Sequence, residues 1–213
     1  MIARLERIEV LWAQATAERD NRYLEIVAPA PDNFWWPAVR RVDPIAMQIM
    51  QYIKDKGDHD TGDMNILGSV ADQMSAALAD GSEALIVAHS LGSVIAFDYV
   101  MQRRPAHQLP ETTILHDFVT MGSPLSMFTS AMGHPDSDIL LPPNAKRWTN
   151  IHSHFDSIAR PLQPFFHKQI IDDRRVHTAF GPLKAHIIYW STPKVADIIA
   201  ASAITALLTM ENQ

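Results

Sequence analysis

The sequence contains no cysteine, which excludes disulfides, zinc–thiolate sites and thiol catalysis and fits a reducing compartment. Nor does it hold a cluster of lysine and arginine: Arg103-Arg104 and Arg174-Arg175 are isolated pairs, and the formal net charge is −6. Nucleic acid is therefore not an expected partner, because phosphate binding needs a basic face. The opening Met1-Ile2-Ala3-Arg4-Leu5-Glu6 has no apolar run of signal-peptide length. The longest apolar stretch, Val195 to Met210, is short for a membrane span and carries Asp197. It reads instead as a terminal amphipathic helix packed on the domain. These absences lead to the expectation of a soluble, cytoplasmic protein without a membrane span. No repeat or low-complexity linker divides the chain.

What is present is the balance of a globular protein, with 47% hydrophobic and 20% charged residues over 213 positions. That length suits one domain over residues 1–213 with a sizeable core. Glu6 to Trp12 alternates as a strand does. Pro29, Pro31 and Pro37 then break the chain around Phe34-Trp35-Trp36. Asp43-Pro44 opens a helix through about Lys54, and Asn65 to Leu78 forms a second, ended by Asp80-Gly81. Ala84 to Ala88 is a short apolar run of the kind found in buried parallel strands. Leu91 to Arg103 follows as a helix. Further strands are expected near Thr113 to Met121, Arg147 to Phe155 and Gln169 to Val176. Strands alternating with helices predict an α/β fold: a mostly parallel sheet with helices on both faces.

The junction of the Ala84 strand and the Leu91 helix carries Ala88-His89-Ser90-Leu91-Gly92. A serine on such a sharp turn adopts a strained backbone and projects its hydroxyl above the sheet. Small residues are then expected two before and two after it, where strand and helix approach; Gly92 meets that demand and Ala88 exceeds it by one methyl. The Leu91 N–H falls at the helix N-terminus, where it can stabilise an oxyanion. A plainer role for Ser90 is to cap the helix.

The run from Leu85 to Ala96, LIVAHSLGSVIA, resembles the nucleophile elbow of lipase- and esterase-like α/β hydrolases. Phe118 to Leu125 resembles the next core strand and its Gly-Ser-Pro-Leu exit. Trp148 to Ile151 and on to Asp156-Ser157-Ile158-Ala159 is similar to the strand that delivers the acid, and Ala185 to Trp190 to the late histidine segment. Together they cover roughly residues 83 to 210 in the order serine, acid, histidine. The resemblance implies Ser90 as nucleophile, Asp156 as acid and His186 as base, with no cofactor or metal. Asp172 and Asp173 are alternative acids that look like a solvated turn, and His177 is the second choice of base. His89 is expected to orient the elbow.

A rival constellation is His152-Ser153-His154-Phe155-Asp156. Alternate strand residues share a face, so His152, His154 and Asp156 could converge on a metal, and the spacing is similar to the H-x-H-x-D run of β-lactamase-type metallo-hydrolases. That run normally continues with histidine, where Ser157 stands here. The hydrolase resemblance also implies an early strand ending in a His-Gly loop that donates a second oxyanion N–H. No such motif precedes Ser90; the glycines there are Gly57, Gly62, Gly68 and Gly81. The expectation is either an N-terminally incomplete fold or an oxyanion hole built differently, with weak turnover; an incomplete fold would leave an unpaired sheet edge that favours self-association.

The function these readings support is cleavage of a small-molecule ester through an acyl-enzyme at Ser90. Thioester, peptide or acyl-transfer chemistry would use the same residues. Phe34-Trp35-Trp36 and the Ser126 to Pro143 insertion, with Met127, Phe128, Met132, Ile139, Leu140 and Leu141, are candidate substrate-facing segments. The other classes open are a catalytically weak or inactive hydrolase-like binding domain and the metal-dependent hydrolase.

Overall fold

A computed structural model of the chain describes residues 66–78, 83–101, 108–131 and 139–211. These lie almost wholly in one compact unit, Ala71–Gln213, and the account below concerns that unit. The strand expected at Glu6 to Trp12, the Phe34-Trp35-Trp36 cluster and the helix from Asp43 to about Lys54 fall outside the described residues.

Four strands form a single parallel sheet in sequence order: β1 (Glu83–His89), β2 (Ile114–Met121), β3 (Trp148–Ser153) and β4 (Asp172–Val176). Helix α1 (Ile66–Leu78) precedes β1, α2 (Leu91–Val100) follows it, and α3 (Leu125–Ala131) follows β2. After β4 come the short helix α4 (Pro182–Ile187), a 3-10 turn (Tyr189–Ser191) and the terminal helix α5 (Pro193–Glu211). This is an α/β architecture, as the alternation of apolar strands and helices predicts.

The two faces of the sheet are covered differently. On one, Phe97 of α2 meets Trp148, which also packs on Phe118 and Phe166, with ring centroids 5.0–5.6 Å apart. Helix α2 is buried nearly all round, consistent with its lack of a polar stripe. On the other face, Leu85, Val87, Val119, Met121 and Ile151 pack with Val195, Ile198 and Ile199 of α5. The strand period of two sends alternate residues to opposite faces, so Val119 faces α5 while Phe118 faces α2. Buried Asp117 ties the second face together: its Oδ2 accepts from Arg147 Nε, Thr149 Oγ1 and Ser202 Oγ at 2.7–2.9 Å.

Several boundaries differ from the sequence expectation. The last strand starts at Asp172 rather than Gln169, because the Gln163 side chain occupies the backbone before it. Gln163 donates to the Gln169 carbonyl and accepts from the Ile171 N–H. Strand β3 stops at Ser153, where His154-Phe155 turns and Asp156 N bonds back to the Ser153 carbonyl. Asp172 and Asp173 lie within β4 instead of a solvated turn. Helix α5 is also longer than expected: the 18 residues Pro193–Met210, of mean hydropathy 1.4, suffice by length and composition alone to cross a membrane. Here one stripe of it, Val195, Ser202 and Ala206, is buried.

Candidate active site

All four strands end on the same side of the sheet, and the chain leaving three of them supplies a Ser–His–Asp relay. Ser90 stands between β1 and α2 with φ 54° and ψ −133°, and is the only described residue other than glycine with positive φ. Such a conformation costs about 1–3 kcal/mol and persists where the surroundings over-determine it. Here Ser90 N donates to the Met121 carbonyl at 3.0 Å, and the Ser90 carbonyl accepts from Ser93 N at 2.9 Å and from the Ser93 hydroxyl. The Ser93 hydroxyl is in turn 2.7 Å from that of buried Ser123. The elbow is thus bolted to β2 and to the first turn of α2.

The Ser90 side chain makes no capping bond to the helix it precedes. Its Oγ lies 2.8 Å from His186 Nε2. His186 Nδ1 lies 3.0 Å from Asp156 Oδ2, which fixes the ring so that Nδ1 carries a proton and Nε2 is the acceptor. Both His186 and Asp156 are buried. Asp156 Oδ1 accepts from Ile158 N and Ala159 N, and the Tyr189 hydroxyl donates to Oδ2 at 3.0 Å. Burial works to raise the Asp156 carboxyl, but the bond and charge of His186, with the Ile158 N–H and Tyr189 hydroxyl, outweigh it. The net shift is downward, so Asp156 is a carboxylate at neutral pH.

The structure brings Ser90, Asp156 and His186 together and leaves His177 apart. His177 is exposed and meets Phe155 and Phe180 edge to face, each centroid 5.1 Å away. His186 itself is on helix α4; Pro182 starts this helix and the positive φ of Gly181 turns the chain into it. Asp172 pairs with Arg174. Asp173 accepts from Asn150 Nδ2, Leu162 N and Gln163 N, and so holds the loop that follows Asp156. Leu91 opens α2, where its N–H has no acceptor within the helix. The expected lack of a His-Gly loop before Ser90 concerns a part of the chain that lies mostly outside the described residues.

Space around the elbow departs from expectation. A Cβ added at Gly92 would meet no atom within 4 Å, so no close strand–helix contact demands a small residue there. The tight position is Gly122, at the exit of β2. Its φ is +58°, and a Cβ would sit 3.0 Å from the His89 ring and from Tyr189 Cε2.

The metal constellation does not assemble. Because β3 ends at Ser153, His152, His154 and Asp156 lose the alternation that would align them. His152 is buried on the face of Asp173, His154 is exposed, and Asp156 belongs to the relay. Among the described residues no three His, Cys, Asp or Glu side chains are grouped to hold a metal ion. Of the insertion considered substrate-facing, Met127 and Leu140 are exposed and residues 132–138 lie outside the description.

Sequence reasoning missed Tyr189 and underrated His89. Tyr189 bridges Asp156 and the Ser153 N–H, which donates to its hydroxyl at 2.9 Å. The three-residue spacing of His186 and Tyr189, about one turn of helix, is the sequence signal that could have pointed to it. No family model matches this sequence, and no curated protein or solved structure matches it either.

Proposed function

We propose that this chain is a serine hydrolase of the α/β-hydrolase type that cleaves a carboxylic ester through an acyl-enzyme at Ser90. The observation that carries the reading is Ser90 held at positive φ with Oγ 2.8 Å from a histidine whose other nitrogen meets a buried carboxylate. A serine that only capped α2 would need neither the strain nor the histidine.

The chemistry follows from the atoms. His186 Nε2 takes the Ser90 proton as Oγ attacks the ester carbonyl carbon, and Asp156 stabilises the imidazolium that forms. The oxyanion of the tetrahedral intermediate lies beside the Leu91 N–H. His186 then protonates the departing alcohol, leaving the acyl group on Ser90. A water activated by His186 attacks this acyl-enzyme, releasing the acid and restoring the serine. The substrate is a small-molecule ester; no cofactor or metal enters these steps.

Labelling with a fluorophosphonate probe and turnover of a p-nitrophenyl ester test the reading. Ser90→Ala is expected to abolish both, and His186→Ala to reduce turnover by several orders of magnitude, roughly 10³-fold or more. A folded Ser90→Ala protein that still turns over ester at the wild-type rate would refute it. Loss of activity with a chelator would point to the metal-dependent class instead. A folded wild-type chain that neither labels nor turns over would point to a binding domain.

A further inference from the structure

Ser90 is not the only elbow residue that reaches His186. His89 Nε2 lies 2.8 Å from the main-chain oxygen of His186. A carbonyl oxygen can only accept, so Nε2 of His89 carries the proton and donates it there. The ring that makes this bond is closely confined. Its centroid is 5.1 Å from that of His186 and 5.6 Å from that of Tyr189, and Gly122 leaves room for it only by lacking a Cβ. Burial, with the neighbouring His186, lowers the His89 pKa to about 4, against the smaller opposing effects of the His186 carbonyl and Asp156. The donor is therefore uncharged at neutral pH.

We propose that His89 is a positioning residue for the base: consecutive elbow residues hold His186 at two points, His89 by the main-chain carbonyl and Ser90 by Nε2. The proposal rests on reading Ser90 and His186 as nucleophile and base. Its physical content is that α4 is short and its neighbouring residues are largely exposed. The Asp156 bond fixes the ring of His186, and the His89 bond fixes the backbone that carries it. Neutrality matters as well, because His186 becomes positive in the transition state and a second positive ring beside it would oppose that charge. The ionisable groups facing His89 are His186 and Tyr189 on the segment after β4 and Asp156 after β3. None of these is a lysine or arginine.

The test compares His89→Leu, which removes the donor, with His89→Gln, which supplies an amide N–H of similar reach. His89→Leu is expected to lower kcat about 10- to 100-fold with KM changed less than about twofold, the scale of a misplaced catalytic group. His89→Gln should recover most of that loss. Wild-type kcat in His89→Leu would overturn the proposal. So would equal losses in both folded variants, which would show that packing and not donation matters. Should His89→Leu not fold, nitrogen NMR of the wild-type ring decides: a neutral Nε2–H tautomer down to about pH 5 is expected, and an Nδ1–H tautomer or an imidazolium overturns it. Ser90→Ala, measured alongside, separates the two ideas. If it retains phosphonate labelling, the nucleophile reading fails whatever His89 does.

Discussion

Replacing Tyr189 by phenylalanine removes one oxygen that serves two buried partners at once. The hydroxyl donates to Asp156 Oδ2 at 3.0 Å and accepts from Ser153 N at 2.9 Å, and all three residues are fully buried. Burial and the charge of Asp156 push the phenol far above its ordinary range, so it stays a donor at every working pH. The lost bond to a carboxylate is worth about 1.5–3 kcal/mol, and an orphaned buried N–H costs about 1–3 kcal/mol. Tyr189→Phe should therefore destabilise the fold by roughly 2.5–6 kcal/mol at pH 7. The pH dependence separates the two parts. Asp156 has a depressed folded-state pKa, so its contribution is fully present above the unfolded aspartate value of about 3.9. It fades as pH falls through the folded value. The gap between wild type and variant should thus narrow in acid towards the Ser153 share alone. Urea unfolding at pH 7 and in steps below pH 4 measures it. A loss below about 1 kcal/mol at pH 7, or one unchanged in acid, would refute the bridging role.

Two further perturbations address the elbow and its surroundings. Gly122→Ala puts a methyl 3.0 Å from both His89 and Tyr189 on a residue at φ +58°, and should cost about 2 kcal/mol or more while lowering ester turnover. An unchanged melting temperature would show that both rings yield freely. Ser90→Gly should be more stable than Ser90→Ala by about 1 kcal/mol, because glycine relieves the positive φ that alanine retains, less the extra entropy of its unfolded chain. Chemical denaturation of the two variants checks this, and an alanine variant as stable as the glycine one would mean that the elbow is unstrained.

The sequence made the α/β class legible because β1 holds an apolar run of strand length, Ala84 to Ala88, in a chain where strand-like and helix-like segments alternate, and a strand meeting a helix at a serine is a local pattern. Ser90 could be selected from that junction, whereas Asp156 and His186 were implied by the resemblance of their segments to those of lipase-like α/β hydrolases. What could not be read were contacts across the chain. His89 and the His186 carbonyl are separated by 97 positions and Asn150 and Asp173 by 23, and neither pair has a local signature. Asp173 looked solvated because Arg174 and Arg175 adjoin it, and both arginines are exposed; the neighbouring strand decides otherwise for Asp173, which pairs with Asn150 and accepts from its Nδ2. Gly92 shows the opposite error. A spacing familiar from an elbow suggested crowding where there is open space, while the crowding falls on Gly122, in the neighbouring strand's exit.

That displacement of crowding follows from the order of the strands. Adjacent strands lie about 4.8 Å apart, so the ends of β1 and β3, which lead to Ser90 and Asp156, stand about two such spacings apart, with β2 between them. Neither side chain can bridge that gap alone. An imidazole with hydrogen bonds of 2.8 and 3.0 Å on its two nitrogens has the reach to do so, and it must lie across the exit of β2. Whatever leaves β2 therefore has to stay low. Gly122 does: it donates its N–H to the Ile151 carbonyl and presents no side chain under His89 and Tyr189. Strand β2 contributes nothing to the proposed chemistry, yet its Met121 carbonyl holds the Ser90 N–H. Its Ser123 hydroxyl meets Ser93. The strand without a relay residue is the one that pairs with both β1 and β3 and so sets the distance between Ser90 and Asp156.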